Sequence, residues 1–171
     1  MKKIRRILAS VIVAMVFVSL LATAQGGTYL SEEVREIVDK YAEEYGVSEY
    51  LIYAMIEKES AGQQYAVSKN GKCKGYMQIN PSAHKSRMEK LGYTVDQVFE
   101  PEANIHTGID YLMDIREESG IDDVAYCLDV YNGNSKAFSN YESGTISKYS
   151  RWLITRAMEL TWFYEFEDKE L

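Results

Sequence analysis

Leu51-Ile52-Tyr53-Ala54-Met55-Ile56-Glu57-Lys58-Glu59-Ser60 is the stretch on which the reading of this chain turns. Its apolar residues recur at helical spacing, Ser48 stands where an N-cap would, and the pattern stops near Ser60-Ala61-Gly62. With successive residues about 100° apart, Leu51, Ile52, Met55 and Ile56 form one stripe, and Glu59 falls about 20° from Ile52, inside it. Glu57 falls on the opposite side, where a solvated carboxylate is the ordinary reading, and Lys58 at the margin. A carboxylate on a core stripe at a helix end is paired, freed by fraying, or set into a cleft. Partial desolvation raises its pKa, and a Glu protonated near neutral pH can act as a general acid. The structural explanation is a buried Glu bound to backbone amides or to a nearby Lys.

Outward from this helix, the chain reads as mostly helical. Val34, Ile37, Val38, Tyr41 and Tyr45 form a preceding helix, with Glu32 and Glu33 in its first turn and Gly46 as its stop. After it, Tyr65-Ala66-Val67 and Gly75-Tyr76-Met77 read as two short strands around an Asn70-Gly71 turn. Asn80-Pro81 reads as an N-cap followed by proline at the first helical position, for a helix ending at Gly92. A further helix starts around Pro101, carries Ile105, Ile109, Leu112 and Met113, and runs to Gly120. Asp122 can cap another with Val124, Cys127, Leu128 and Tyr131 on one face. A last helix is expected from near Thr145 through Leu160, and the Trp162–Phe166 tail is ambiguous. The expected fold is one helical domain, residues 31–171, mostly α with a small hairpin-like insertion.

Composition narrows the function. Of 171 residues, 46% are hydrophobic and 12% aromatic, which suits a folded domain rather than a disordered chain. Four of the 19 Lys and Arg (Lys2, Lys3, Arg5, Arg6) lie in the first 24 residues and none of the 26 Asp and Glu does. The whole chain therefore carries −7, and the part after residue 24 carries −11. That excess of acid argues against nucleic-acid binding, which needs a basic footprint. The basic start, the uncharged run Ile7–Ala22 and the small-x-small Ala22-Thr23-Ala24 read as a signal peptide over 1–24, with residues 25–30 as linker. An uncleaved anchor through 7–22 is the other reading. Both place the remainder outside the cytoplasm, periplasmic, extracellular or wall-associated.

Four segments add a resemblance. Ile56-Glu57-Lys58-Glu59-Ser60, Gly75-Tyr76-Met77-Gln78-Ile79-Asn80-Pro81, Pro101-Glu102-Ala103-Asn104-Ile105 with Gly108 and Tyr111-Leu112, and Val130-Tyr131-Asn132-Gly133 follow one another in this order. Together they resemble the catalytic domain of the soluble lytic transglycosylases, in the lysozyme-like superfamily. The resemblance spans Leu51 to Asn134 and extends more loosely from Ser31 to Leu160. Tyr76 stands where the family usually has Leu, Val130 where it has Ala, and the spacing from Thr145 to Tyr149 is one residue longer.

The resemblance implies a lysozyme-like fold and cleavage of peptidoglycan glycan strands, with Glu59 as the catalytic acid. Ser60, Met77, Gln78, Tyr131, Asn132 and Tyr149 are the supporting residues it implies. Gln78 can both donate to and accept from an N-acetyl group. Tyr131 would reach the Glu59 region, Asn132 would bond substrate or loop, and Ser60 would either orient Glu59 or bond backbone. Glycosidases commonly need a second carboxylate, yet Ser60 through Met88 contain no Asp or Glu. That fits a one-carboxylate mechanism ending in a 1,6-anhydro product, without metal or cofactor. A hydrolytic muramidase and a glycan-binding or assembly module are the alternatives. A cysteine peptidase would have to pair Cys73 or Cys127 with His84 or His106 without a supporting motif, and no H-E-x-x-H is present for zinc. The expected form is a monomer, working on wall turnover or opening the wall for a secretion or conjugation machine. Lys69, Lys72, Lys74, His84, Lys85 and Arg87 form a local basic island, read either as a site for wall anions or as solvated surface. The two cysteines are expected to pair, Cys73 with Cys127, since export permits it and both flank motifs of one cleft.

Overall fold

A computed structural model describes residues 30–167. The expected signal peptide or anchor, and all of the expected linker except Leu30, lie outside the described residues. Leu30 is buried with the core. Ser31 then caps α1 (Glu32–Tyr45), its Oγ accepting from the Val34 N–H at 3.3 Å and satisfying a first-turn donor. Gly46 ends α1 in the left-handed region, at φ 64, where a Cβ is unfavourable. In α2 (Glu49–Ser60), every residue from Leu51 to Ile56 is buried. The helix is therefore central rather than half-wrapped, and it packs against α1 and α7.

The insertion after α2 forms around Asn70-Gly71 as expected, with Ser68 N–H donating to Cys73 O at 3.0 Å and Gly75 N–H to Ala66 O at 2.9 Å. Its second half then folds back: Lys74 and Ile79 exchange both backbone bonds at 2.9 Å. The pairings are isolated bridges, and the described residues contain no sheet. Pro81 does not begin a helix. Asn80 Oδ1 accepts from Ser82 and Ala83 N–H at 3.2 and 3.4 Å, holding a turn, and α3 (Lys85–Lys90) starts only after His84. A 3₁₀ turn (Val95–Phe99) leads to α4 (Pro101–Ser119), with proline at its first position.

Asp123, not Asp122, caps α5 (Val124–Tyr131), accepting from Tyr126 N–H at 2.8 Å; Asp122 pairs instead with Arg116. A short helix, α6 (Ala137–Ser143), lies where the sequence shows no apolar period, its Phe138 and Tyr141 both exposed. The last helix, α7 (Lys148–Trp162), begins behind Ser147 rather than Thr145 and passes into a π-turn, Phe163–Glu167.

Two buried polar clusters fix this arrangement. Between α1 and α4, the His106 ring stacks on Tyr41 at 3.8 Å and bonds Tyr45 Oη and Tyr93 Oη, each at 3.0 Å. Tyr45 O–H donates onward to Asp110, which with Asp114 holds Arg87, so this member of the basic island is an internal ion partner. Lys74 lies over the Phe99 ring, and Lys69, Lys72 and Lys85 remain exposed. Under α5, the Asp129 carboxylate is 2% exposed and accepts from Asn134, Asn140, Ser147 and Ser150. It thereby ties α6 and the first turn of α7 to α5.

The expected disulfide is not formed: Cys73 and Cys127 are both free thiols. Cys127 turns to the Ile121 carbonyl, 3.8 Å away, and lines a cavity of about 280 Å³ with Gly46, Leu51, Leu112 and Met113. None of Gln78, Tyr131 or Glu59 borders that cavity. One helical turn is enough to separate the Cys127 sulfur, turned to Ile121 O, from the Tyr131 hydroxyl, which bonds Met77 O.

Burial pushes the Asp129 pKa up, but the bonds from Ser147, Ser150, Asn140 and Asn134 outweigh it and leave the group below its ordinary value. Its contribution to stability is complete above the unfolded value of about 4 and is lost as pH falls through the lower folded one. Asp129→Asn should therefore lower stability by about 2–3 kcal/mol near neutral pH. Melting curves between pH 6 and pH 2 check this, because the variant should also lose part of the acid-induced drop.

Candidate active site

Ser60 ends α2 with its Oγ bonded back to Ile56 O at 3.0 Å. Ser60 thus finishes the helix, the backbone alternative of the two readings. Ala61 follows at φ 52 and stops the chain from extending the helical stack. Glu59 is left half-buried at the helix end, and the Tyr149 hydroxyl donates to its Oε1. Desolvation raises the Glu59 pKa; the Tyr149 bond and the Lys58 charge pull it down, and burial wins. Tyr149 is itself raised above the ordinary phenol range, first by burial and then by Glu59, so it stays a donor.

The two helices that meet here run antiparallel. Glu59 faces Tyr149, Glu57 bonds Arg156 Nε at 2.9 Å, and the Tyr50 and Tyr164 rings stack at 5.9 Å. Glu57 is therefore not simply a solvated carboxylate. It is half-buried against an Arg156 that is 8% exposed, and the pair sets the register that brings Tyr149 to Glu59. The wheel misplaced it because α2 is enclosed on more than one side.

The Gly75–Gln78 loop forms the other wall. Tyr131 Oη donates to Met77 O at 2.9 Å, while Glu59 acts electrostatically on the same phenol. Tyr131 thus lies in the Glu59 region, its hydroxyl engaged by the loop. Met77 is fully buried on Gly108, where a Cβ would come within 2.5 Å of its sulfur. Gln78, at φ 51, donates its amide to Gly75 O and Ala66 O at 3.1 and 3.3 Å, so that end braces the loop. Asn132 is the exposed C-cap of α5.

Asn104 is the residue that the sequence reading left without a role. Fully buried, it accepts from Met77 N–H at 2.8 Å and donates to Lys74 O and Val98 O at 2.9 and 2.7 Å. A Cβ on Gly75 would stand 2.3 Å from its amide nitrogen, so glycine is required there. The signal was present in the Pro101–Ile105 segment, where a polar residue interrupts an apolar helix face.

Residues 36–151 match the family model of the transglycosylase SLT domain. The chain belongs to that family. In structure it is similar to an inactive mutant of lytic transglycosylase Slt from Pseudomonas aeruginosa (TM-score 0.60, 20% identity, 79% of this chain and 24% of the other). It is also similar to the 70 kDa soluble lytic transglycosylase Slt70 from Escherichia coli (TM-score 0.64, 19% identity, 76% and 24%). The SLT domain described here thus spans about a quarter of either protein. At these identities the likeness establishes the fold, lysozyme-like and predominantly helical.

Tyr149→Phe should move the Glu59 pKa further up, because the lost donor favours the charged form. Titration of the Glu59 side-chain carboxyl by carbon-13 NMR in wild type and variant measures the shift. A downward movement would contradict the assigned hydrogen bond.

Proposed function

We propose that this chain is a peptidoglycan lytic transglycosylase in which Glu59 serves as both acid and base. The observation that carries the reading is the environment of Glu59: desolvated, bonded by Tyr149, and with Lys58 as its charged neighbour. Tyr149 bonds it, Lys58 is the charge that acts on it, and Ser60 through Met88 contain no Asp or Glu, which favours a one-carboxylate route over activation of a water by a second Glu or Asp.

In that route the protonated Glu59 gives its proton to the glycosidic oxygen between N-acetylmuramic acid and N-acetylglucosamine as the C1–O bond breaks. The acetamido oxygen of the muramic residue supports the positive centre at C1. The Glu59 carboxylate then takes the proton of the C6 hydroxyl while that oxygen bonds to C1. A 1,6-anhydro ring closes, Glu59 is regenerated and no water is consumed. Burial suits the first step by favouring the protonated acid, and the Tyr149 donor suits the second by steadying the carboxylate. The same reading takes the chain to be exported, by signal cleavage or on an anchor through residues 7–22, and its partner to be wall glycan. Its setting is then wall turnover or the opening of the wall for a secretion or conjugation machine.

Mass analysis of digested sacculi tests the reading. Fragments one water lighter than hydrolysis products support it, reducing ends indicate a muramidase, and intact strands indicate a binding module. Glu59→Gln should keep the fold by circular dichroism and lower turnover at least about a hundredfold.

A further inference from the structure

Lys58, whose charge pulls the Glu59 pKa down, and Trp152 adjoin this site, and neither exchanges a proton in the chemistry above. Lys58 precedes Glu59 on α2, and its Nζ lies 4.6 Å from the centroid of the Trp152 ring. Trp152 follows Tyr149 by three residues on α7, so the indole stands one helical turn along the same side as the phenol that bonds Glu59. Core packing does not account for this tryptophan. It keeps 37% of its surface exposed, while Leu153 and Arg156 beside it are buried in the α2–α7 seam.

We propose that Trp152, steadied by Lys58, is a sugar platform on the rim of the cleft. Resting on the lytic reading above, it takes the apolar face of an N-acetylhexosamine ring neighbouring the scissile bond. A β-1,4-linked hexosamine carries its substituents around the ring edge and presents C–H groups on its faces. These match the negative face of an indole, the largest aromatic surface available to a side chain. The Lys58 ammonium takes up a cation–π position on the indole and fixes its orientation before substrate arrives. Continuity with the acid is what selects a sugar as occupant: the lysine is Glu59's chain neighbour and the tryptophan is one turn from Tyr149. A glycan strand reaching Glu59 therefore passes this edge. The role is one of binding, so it belongs in KM rather than in the chemical step.

The test measures cleavage of peptide-free glycan strands, prepared by amidase treatment of sacculi, by wild type, Trp152→Ala and Trp152→Tyr. Trp152→Ala should raise KM about tenfold with kcat within about twofold, and Trp152→Tyr should recover most of the loss. The chain has two tryptophans, Trp152 and Trp162. In a Glu59→Gln, Trp162→Phe chain, an N-acetylglucosamine oligomer should therefore shift the remaining indole fluorescence saturably. An unchanged KM in Trp152→Ala, or a fall in kcat alone, overturns the platform while leaving the lytic reading intact. A wild-type chain that neither cleaves the strands nor binds the oligomer overturns both.

Discussion

A carboxyl drawn out of water must be met by a donor that cannot wander. In this chain that requirement governs how α2 and α7 lie together. The Tyr149 hydroxyl reaches Glu59 from ninety residues further along the chain. Such a contact holds only if the two helices keep one register. Glu57 with Arg156 supplies it from below, as a pair half removed from solvent in which Arg156 also holds Glu159 of its own helix. Asp129 supplies it from above by gathering Ser147 and Ser150 at the start of α7. Glu59 is thus placed by charged groups elsewhere along the two helices.

The facing wall obeys the same logic with neutral groups. The loop that presents Met77 and Gln78 has almost no regular secondary structure, so its amides and carbonyls would be orphaned if buried without partners. Asn104 meets two of them, the Met77 N–H and the Lys74 carbonyl, while also tying in Val98 O of the 3₁₀ turn, and Tyr131 meets a third, the Met77 carbonyl. Close approach is what permits this. Glycines 75 and 108 let Asn104 and Met77 come nearer than any side chain would allow. Both glycines lie within segments that carry the family resemblance, and the contacts explain why those positions suit no other residue.

What the sequence made legible follows from what a short window contains. The α2 pattern with Glu59 out of place, the glycine stop of α1 and the proline start of α4 are local, and each appears where its residues indicate. The partners of Glu57 and Asp129 are not local. Arg156 lies ninety-nine positions from Glu57, and a helical wheel has no means of finding it. The helix α6 escaped because its large apolar residues, Phe138 and Tyr141, face outward and no period marks it. The Cys73–Cys127 pairing failed for a related reason. Sharing a helix face with Tyr131 does not carry Cys127 to the same depth, and its sulfur ends up against Ile121.

The tyrosine ring around His106 has a consequence for proton traffic. Tyr45 gives its hydrogen to Asp110 and Tyr41 gives its own to Glu102, so the Tyr45 oxygen can only receive from His106 Nε2. The imidazole is thereby set with its hydrogen on Nε2 and with Nδ1 receiving from Tyr93. Burial holds the His106 pKa down, opposed by Glu44, Asp110 and Glu102 and aided by Lys40. When a proton does arrive at Nδ1, the Tyr93 hydrogen can swing to the Tyr41 oxygen 3.3 Å away. The bonds reverse direction and none is lost. The α1–α4 seam can therefore take up a charge in acid without an orphaned donor, a reversible wire laid through the interior rather than a point of rupture.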